Sequence, residues 1–211
     1  MASGFNAAKG AVAGAQIAVG ANVAFESIQG FQGGGVNYGT EVSGMQLGII
    51  NVGRHVKGVQ LGVINIAEEV DGVALGLVSI SRNSIHPVVW AGNLSYTNVG
   101  IKFATKYAYT ILGVGFGSNE TKLEFNHPES FAALGLHLPI TEHIDLDLDA
   151  AYTEQQLGGD AANRALHARV LPGWSFARHL RVFAGGGARI PLAFDQGSPA
   201  VRPEGVVGVQ F

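Results

Sequence analysis

Asp145, Asp147 and Asp149 form the densest group of potentially reactive side chains in this 211-residue sequence. Their spacing imitates the start of a calcium-binding loop, where alternate carboxylates converge on one ion. Such a loop needs glycine at its sixth position and glutamate at its twelfth, and here those are Ala150 and Gln156. The seven histidines supply no metal site either. His55, His86, His127, His143 and His179 fall at expected turns or strand ends, with no His-Glu-x-x-His motif and no close pair. There is no cysteine, so thiolate ligands and disulfides are excluded. His127-Pro128-Glu129-Ser130 holds the residue types of a serine hydrolase, but types alone do not align a nucleophile, a base and its orienting group. Gly113-Val114-Gly115-Phe116-Gly117 is not followed by the helix that a phosphate loop requires. The sequence therefore predicts no enzyme activity, no bound metal and no cofactor.

The aspartates alternate with Ile144, Leu146 and Leu148, the period-two signature of a strand with one apolar face. If residues 155–163 form a hairpin loop, Asp149 comes to lie near Arg169 and the carboxylates lie beside His167, with Arg189 on the next strand able to join them. His137 falls on the same face by parity. Cross-strand pairing in such an inward acid–base ladder offsets the repulsion between neighbouring carboxylates. Its functional form is a charged constriction that selects small solutes.

The same alternation runs through the chain, and in the first half it also repeats. Gly44-Met45-Gln46-Leu47-Gly48-Ile49-Ile50-Asn51 recurs 14 residues later as Gly58-Val59-Gln60-Leu61-Gly62-Val63-Ile64-Asn65. It returns as Gly72-Val73-Ala74-Leu75-Gly76-Leu77-Val78-Ser79, and Gly30, Gln32, Gly34 and Asn37 form a looser earlier copy. Two glycines per copy disfavour helix, and the β-branched residues favour strand. About ten strand residues and four turn residues per copy match a tilted membrane-crossing strand of ~9–11 residues. Strict alternation within each copy places Ile50, Val52, Ile64, Ile66, Val78 and Ile80 inward with the Gly and Gln positions.

Composition fits two surfaces, neither mainly in water. Charged residues make up only 14%, hydrophobic residues 47%, and 31 residues are glycine. The longest apolar stretch, from Ala11 to Phe25, is interrupted by Gln16 and Asn22 and reads neither as a spanning helix nor as a signal peptide. A net charge of −3 gives no footprint for nucleic acid. Trp90, Tyr96, Tyr107, Tyr109, Tyr152, Trp174 and Phe176 gather near expected strand ends, as aromatic girdles do. These observations predict one all-β domain over 1–211, an antiparallel transmembrane β-barrel of 12 or 14 strands. The repeats occupy about 28–82, and non-repeating strands about 86–211. The rival architecture is a β-solenoid of 14-residue coils, with Asn51, Asn65 and Ser79 in one ladder and Gln46 and Gln60 in another.

The ending Val207-Gly208-Val209-Gln210-Phe211 resembles the terminal-aromatic signal by which bacterial outer-membrane barrels are recognised for assembly. The Gly-Val-Gln-Leu-Gly-x-x-Asn units resemble the surface-repeat proteins of Gram-negative and spirochaetal outer membranes. Those units often precede segments like Asn98-Val99-Gly100-Ile101-Lys102 and Tyr109-Thr110-Ile111-Leu112-Gly113-Val114-Gly115. This resemblance covers roughly residues 28 to 117. It implies an outer-membrane location, the lipid bilayer and the barrel-assembly machinery as partners, and a structural or narrow channel-forming role with small solutes. It implies no catalytic residues. A soluble or surface-attached repeat protein used for binding is the competing class, and a lipid hydrolase at the barrel rim a third.

Overall fold

The computed structural model describes residues 3–94, 97–116, 128–158, 161–177, 180–192 and 200–211. The described residues are strands and their connections, with no helix among them. The chain divides into two compact units, Met1–Ile85 with Phe103–Thr110, and His86–Lys102 with Ile111–Phe211. The single barrel domain expected over 1–211 is thus replaced by two units, because the repeats stack on themselves instead of joining the barrel.

The first unit is a parallel β-solenoid. It contains β1 (Ser3–Ala8), the long winding run β2 (Val12–Val56), and the short strands β3 (Val59–Leu61), β4 (Ile64–Ile66), β5 (Glu69–Val70), β6 (Val73–Leu75) and β7 (Val78–Ile80). Each copy of the repeat lies directly on the one before. Met45, Gln46 and Leu47 pair in parallel with Val59, Gln60 and Leu61, and those pair with Val73, Ala74 and Leu75. Ile50, Asn51 and Val52 pair with Ile64, Asn65 and Ile66, and those with Val78, Ser79 and Ile80. An antiparallel meander cannot produce this, since reversing alternate strands would place unlike residues opposite one another.

Parallel stacking makes each buried side chain meet its own counterpart. Asn6, Asn22, Asn37, Asn51 and Asn65 form a continuous amide ladder at 2.9 Å per contact, ended by Ser79 at 3.1 Å. Each asparagine donates to the next coil. Gln16, Gln32, Gln46 and Gln60 form a second ladder whose amides donate to the preceding coil, at 2.7–2.8 Å. Ile28, Val42 and Val56 make the aliphatic core beside them. The Gln ladder stops at Ala74, and among the described residues Gln60 Oε1 has no partner.

Glycine spacing follows from the same geometry. A Cβ on Gly44, Gly58 or Gly72 would lie 2.0 Å from the carbonyl oxygen of the equivalent glycine one coil earlier. A Cβ on Gly48, Gly62 or Gly76 would lie 2.4–2.6 Å from such an oxygen. These glycines therefore mark corners where two backbones approach closely, in place of the lumen-lining role expected from alternation. The corner at Gly62–Val63 also resets the alternation. Gln60 and Asn65, five residues apart, both point inward, and Ile64 and Ile66 point out, as do Ile50, Val52, Val78 and Ile80. Their expected inward placement is overturned for that reason.

An antiparallel barrel is closed by eight strands: β8 (Ile85–Gly92), β9 (Thr97–Ala104), β10 (Ala108–Phe116), β11 (Glu129–Pro139), β12 (Ile144–Gly158), β13 (Ala161–Ala177), β14 (Leu180–Pro191) and β15 (Arg202–Gln210); it makes up the second unit, with Ile85, the end of β9 and the start of β10 counted in the first. It closes through β15 and β8, where Val209 pairs with Val89 and Gln210 with Val88. The barrel and the all-β class stand as expected, but the strand number is eight, not 12 or 14. The difference is the repeat region, which supplies the solenoid. The expected solenoid ladders are present within the first unit.

Shortening the Gln ladder in two places should separate its energetics from simple volume loss. Gln46→Leu leaves Gln32 Oε1 and Gln60 Nε2 unpaired, at about 1–3 kcal/mol for each buried orphan. Gln60→Leu only moves the existing orphan one coil back. Urea unfolding should find Gln46→Leu clearly the more destabilising, and equal losses would refute the ladder as a source of stability.

Candidate functional site

Barrel alternation sorts side chains cleanly between its outer and inner faces. Leu134, Leu136, Leu138, Leu166, Val170, Trp174 and Val207 are exposed. The residues between them line a narrow interior, which in an eight-stranded barrel is wide enough only for side chains. Phe131, Trp90, Phe183, Leu171 and Val206 fill part of it, with Trp90 edge-on to Phe131 at 4.9 Å between ring centres. Glycines make the space. A Cβ on Gly208 would meet Phe183 at 2.3 Å and Trp90 at 2.7 Å, and one on Gly113 would press on the Trp90 ring.

Charged side chains fill the remainder. The antiparallel register sets Asp149 opposite Arg169, whose Nε and Nη2 donate to the two carboxylate oxygens at 2.7 and 2.8 Å. Asp147 is contacted by three groups, Lys102 Nζ at 2.6 Å, His137 Nδ1 at 2.7 Å and Arg181 Nη2 at 3.1 Å. Asp145 takes Arg181 Nε at 2.8 Å and is bridged by its Nη2 as well. The Arg169 and Arg181 guanidiniums also lie over the Phe131 and Phe183 rings. Apart from half-buried His137, these charged groups are almost completely enclosed.

The three aspartates and Arg169 thus share one cluster. His167 points inward but away from them, with Nδ1 on Glu204 at 2.8 Å and Nε2 near Thr153 Oγ1 at 3.1 Å. Arg189 does not join the aspartates. It faces Glu129 at 3.7 Å, because its register partner is His167, two residues along β13 from Arg169. Lys102, Arg181, Glu129 and Glu204 are partners that strand-by-strand reading missed. Lys102 comes from β9 and Arg181 from β14, neither adjacent to β12, and only closure of the barrel brings them to Asp147. Parity could have marked all four as inward, but not across which chord they would meet.

His137, Asp145 and Asp147 bring ligand-type atoms within 4.8 Å of one another. Lys102 and Arg181 already neutralise those carboxylates, so a divalent ion would have to displace both cations. Ser130 Oγ donates to the Glu154 carbonyl at 3.1 Å, and His127 lies outside the described residues. The repeat positions Gly44, Gln46, Gly48, Asn51, Gly58, Gln60, Gly62, Asn65, Gly72, Gly76 and Ser79 belong to the solenoid, remote in sequence from this cluster. There, within the first unit, Lys106 contacts Asp71 at 2.6 Å, and this hydrogen bond and charge hold the Asp71 carboxyl below the usual aspartate range. Thr105 and Thr110 of the same unit bond the backbone of Ala74 and Gly76.

The aromatic residues divide. Trp174 and Phe176 stack at 5.8 Å on the exposed end of β13, and Phe211, its amide bonded to the Pro87 carbonyl, is also exposed. Tyr107 is exposed and Tyr152 half-buried. Trp90 and Tyr109 are buried, so they are not girdle residues. Trp90 shares the inward parity of Val88 on β8. Tyr96 lies outside the described residues.

No family model and no curated protein matches the chain. Among solved structures, a chain from the de novo design of transmembrane β-barrels is similar over 60% of this chain and 91% of its own, at 11% identity and a TM-score of 0.41. The barrel described above rests on its own strand pairing.

Disruption of the cluster should be strongly asymmetric. Asp149→Leu or Arg169→Met alone strands a buried charge and should cost about 3–5 kcal/mol. The double variant removes both charges and should recover most of that loss. A denaturant-based double-mutant cycle on the refolded protein checks this, and additive losses would contradict the pairing.

Proposed function

We propose that this chain is an outer-membrane β-barrel protein of a Gram-negative-type bacterium, with a plugged interior and a structural role, without catalysis. The observation that carries this reading is the pairing of an aliphatic outer wall with an interior closed by buried ion pairs. A barrel in water would reverse that pattern, with charges outside. In lipid, closure satisfies every backbone group of the wall and leaves no edge. Unequal connections also support the membrane reading: β10–β11 and β14–β15 are joined by long segments, and β11–β12 by a short one. The resemblance of the repeats to outer-membrane surface-repeat proteins supports the location, and lipid and the barrel-assembly machinery are the corresponding partners.

Packing of Lys102, Arg181 and Arg169 against the aspartates argues for a closed lumen over a selective pore, because an ion entering would have to part enclosed pairs. The purified protein should require detergent or lipid to stay monodisperse, and in planar bilayers it should show no stepwise conductance. A stable monodisperse protein in plain buffer would overturn the membrane assignment. Steady single-channel steps from the unmodified protein would overturn the plugged lumen.

A further inference from the structure

The two ends of the solenoid are finished differently. At the last coil, Thr105 and Thr110 bond the backbone of Ala74 and Gly76. At the first, among the described residues, β1 pairs only with β2, and its other edge is open. The interior is open there as well. Val12 is half-buried, whereas Ile28, Val42 and Val56, which follow it at the same coil position, are fully enclosed. Little protects this edge: Lys9 is the one charged residue before Glu26, and no proline precedes Pro87. A one-residue register shift between Ser3 and Phe5 leaves Phe5 to Ala8 regular.

Glycine and amide positions both carry the pattern of a further coil. A Cβ on Gly20 would lie 2.3 Å from the carbonyl oxygen of Gly4, one coil earlier. Gly4 itself has nothing within 4 Å of such a Cβ and no left-handed backbone to favour glycine. The slot for a closely passing backbone is kept there, and no described residue fills it. The amide ladders run in opposite senses. Each Gln donates to the coil before, so Gln16, only 9% exposed, turns its Nε2 to the open end, where it meets no acceptor among the described residues. Asn6 donates through Nδ2 to Asn22 and to the Ile17 carbonyl, which turns its Oδ1 to the same end. The end face thus presents one amide donor and one amide acceptor.

We infer that this face docks a second copy of the chain, in a two-fold dimer of solenoids joined first coil to first coil. Rotation about an axis across the face exchanges the two amide columns. Gln16 Nε2 then donates to Asn6 Oδ1 of the second copy, and the symmetric contact repeats it. An amide oxygen has two lone pairs, so Asn6 can accept this donor beside another. β1 of each copy runs antiparallel to the segment around Gln16 of the other, and the opening at Val12 is covered. An unrelated strand would have to reproduce the donor and the acceptor, whereas the chain's own end supplies both by symmetry. Head-to-tail stacking does not compete, because the last coil is covered and Ala74 has no amide to offer. The contact therefore closes at two copies.

Sedimentation equilibrium of the full chain, refolded in detergent, over a concentration series tests this, with amide hydrogen exchange followed over β1. The protein should be two chains that separate on dilution, with Phe5 to Ala8 protected only in the dimer. Gly4→Val places its side chain in open space on a single chain, so it should keep the native circular dichroism and unfolding midpoint. It should nevertheless weaken dimerisation about tenfold or more, by filling the slot. Gln16→Leu should weaken it too, and Arg82→Gln, beyond the last coil, should leave it unchanged. Single chains at every concentration would overturn the dimer, and protection of β1 in them would show that another part of the chain covers the edge. A dimer indifferent to both Gly4→Val and Gln16→Leu would place the contact elsewhere and overturn this face. Growth beyond two chains would overturn the two-fold arrangement. None of these outcomes depends on the membrane reading, which solubility and conductance decide separately.

Discussion

In a stack of parallel β-coils, a buried side chain has only its counterpart on the next coil as a neighbour along the axis. That constraint governs the first half of this protein. A polar residue survives inside only if it can both donate to and accept from a copy of itself, which the amides of Asn and Gln do. A backbone that must pass within carbonyl contact of the coil beneath admits only glycine there. The Gly-x-Gln-x-Gly-x-x-Asn unit is the joint solution to these demands, and its side-chain ladders add hydrogen bonds to those of the backbone.

The barrel solves a different problem with the same period of two. Its neighbours run antiparallel, so no residue faces its own copy, and burial of charge depends on finding a complement. Asp149 finds Arg169 on the adjacent strand. Asp147 finds Lys102 and Arg181 only because the sheet closes on itself. The aspartates that resemble the opening of a calcium loop are anchors of a packed interior. An exterior of Leu, Val and Ile and an interior of ion pairs invert the arrangement of a soluble barrel, and the membrane proposal follows from this inversion.

Much of this is written in the residues at the level of period, and less at the level of direction. A 14-residue repeat fits a strand and hairpin turn as well as a solenoid coil, and reading it as the former inflated the barrel to 12 or 14 strands. The discriminating feature lies within each copy. Gln60 and Asn65 lie five positions apart, an odd offset, so a straight strand would send them to opposite faces. Both are buried, which requires a bend between them, and Gly62 provides it. Cross-strand proximity of Asp149 and Arg169 was readable from hairpin counting, whereas the contacts of Lys102, Arg181 and Glu204 depend on how the barrel closes. Trp90 illustrates the same limit: its position near a strand end suggested a girdle residue, while its parity with Val88 sends it inside.

The last coil differs from those before it in two places. Where earlier coils carry Gln and Asn, it carries Ala74 and Ser79. Ala74 has no amide to pass on, and Ser79 receives the final Asn65 contact with a hydroxyl. Both inner ladders therefore shrink at the same rung. A further identical coil would find no amide waiting on either side. The repeat array thus carries its own stop signal, and its length is set by two shortened side chains as well as by the number of copies.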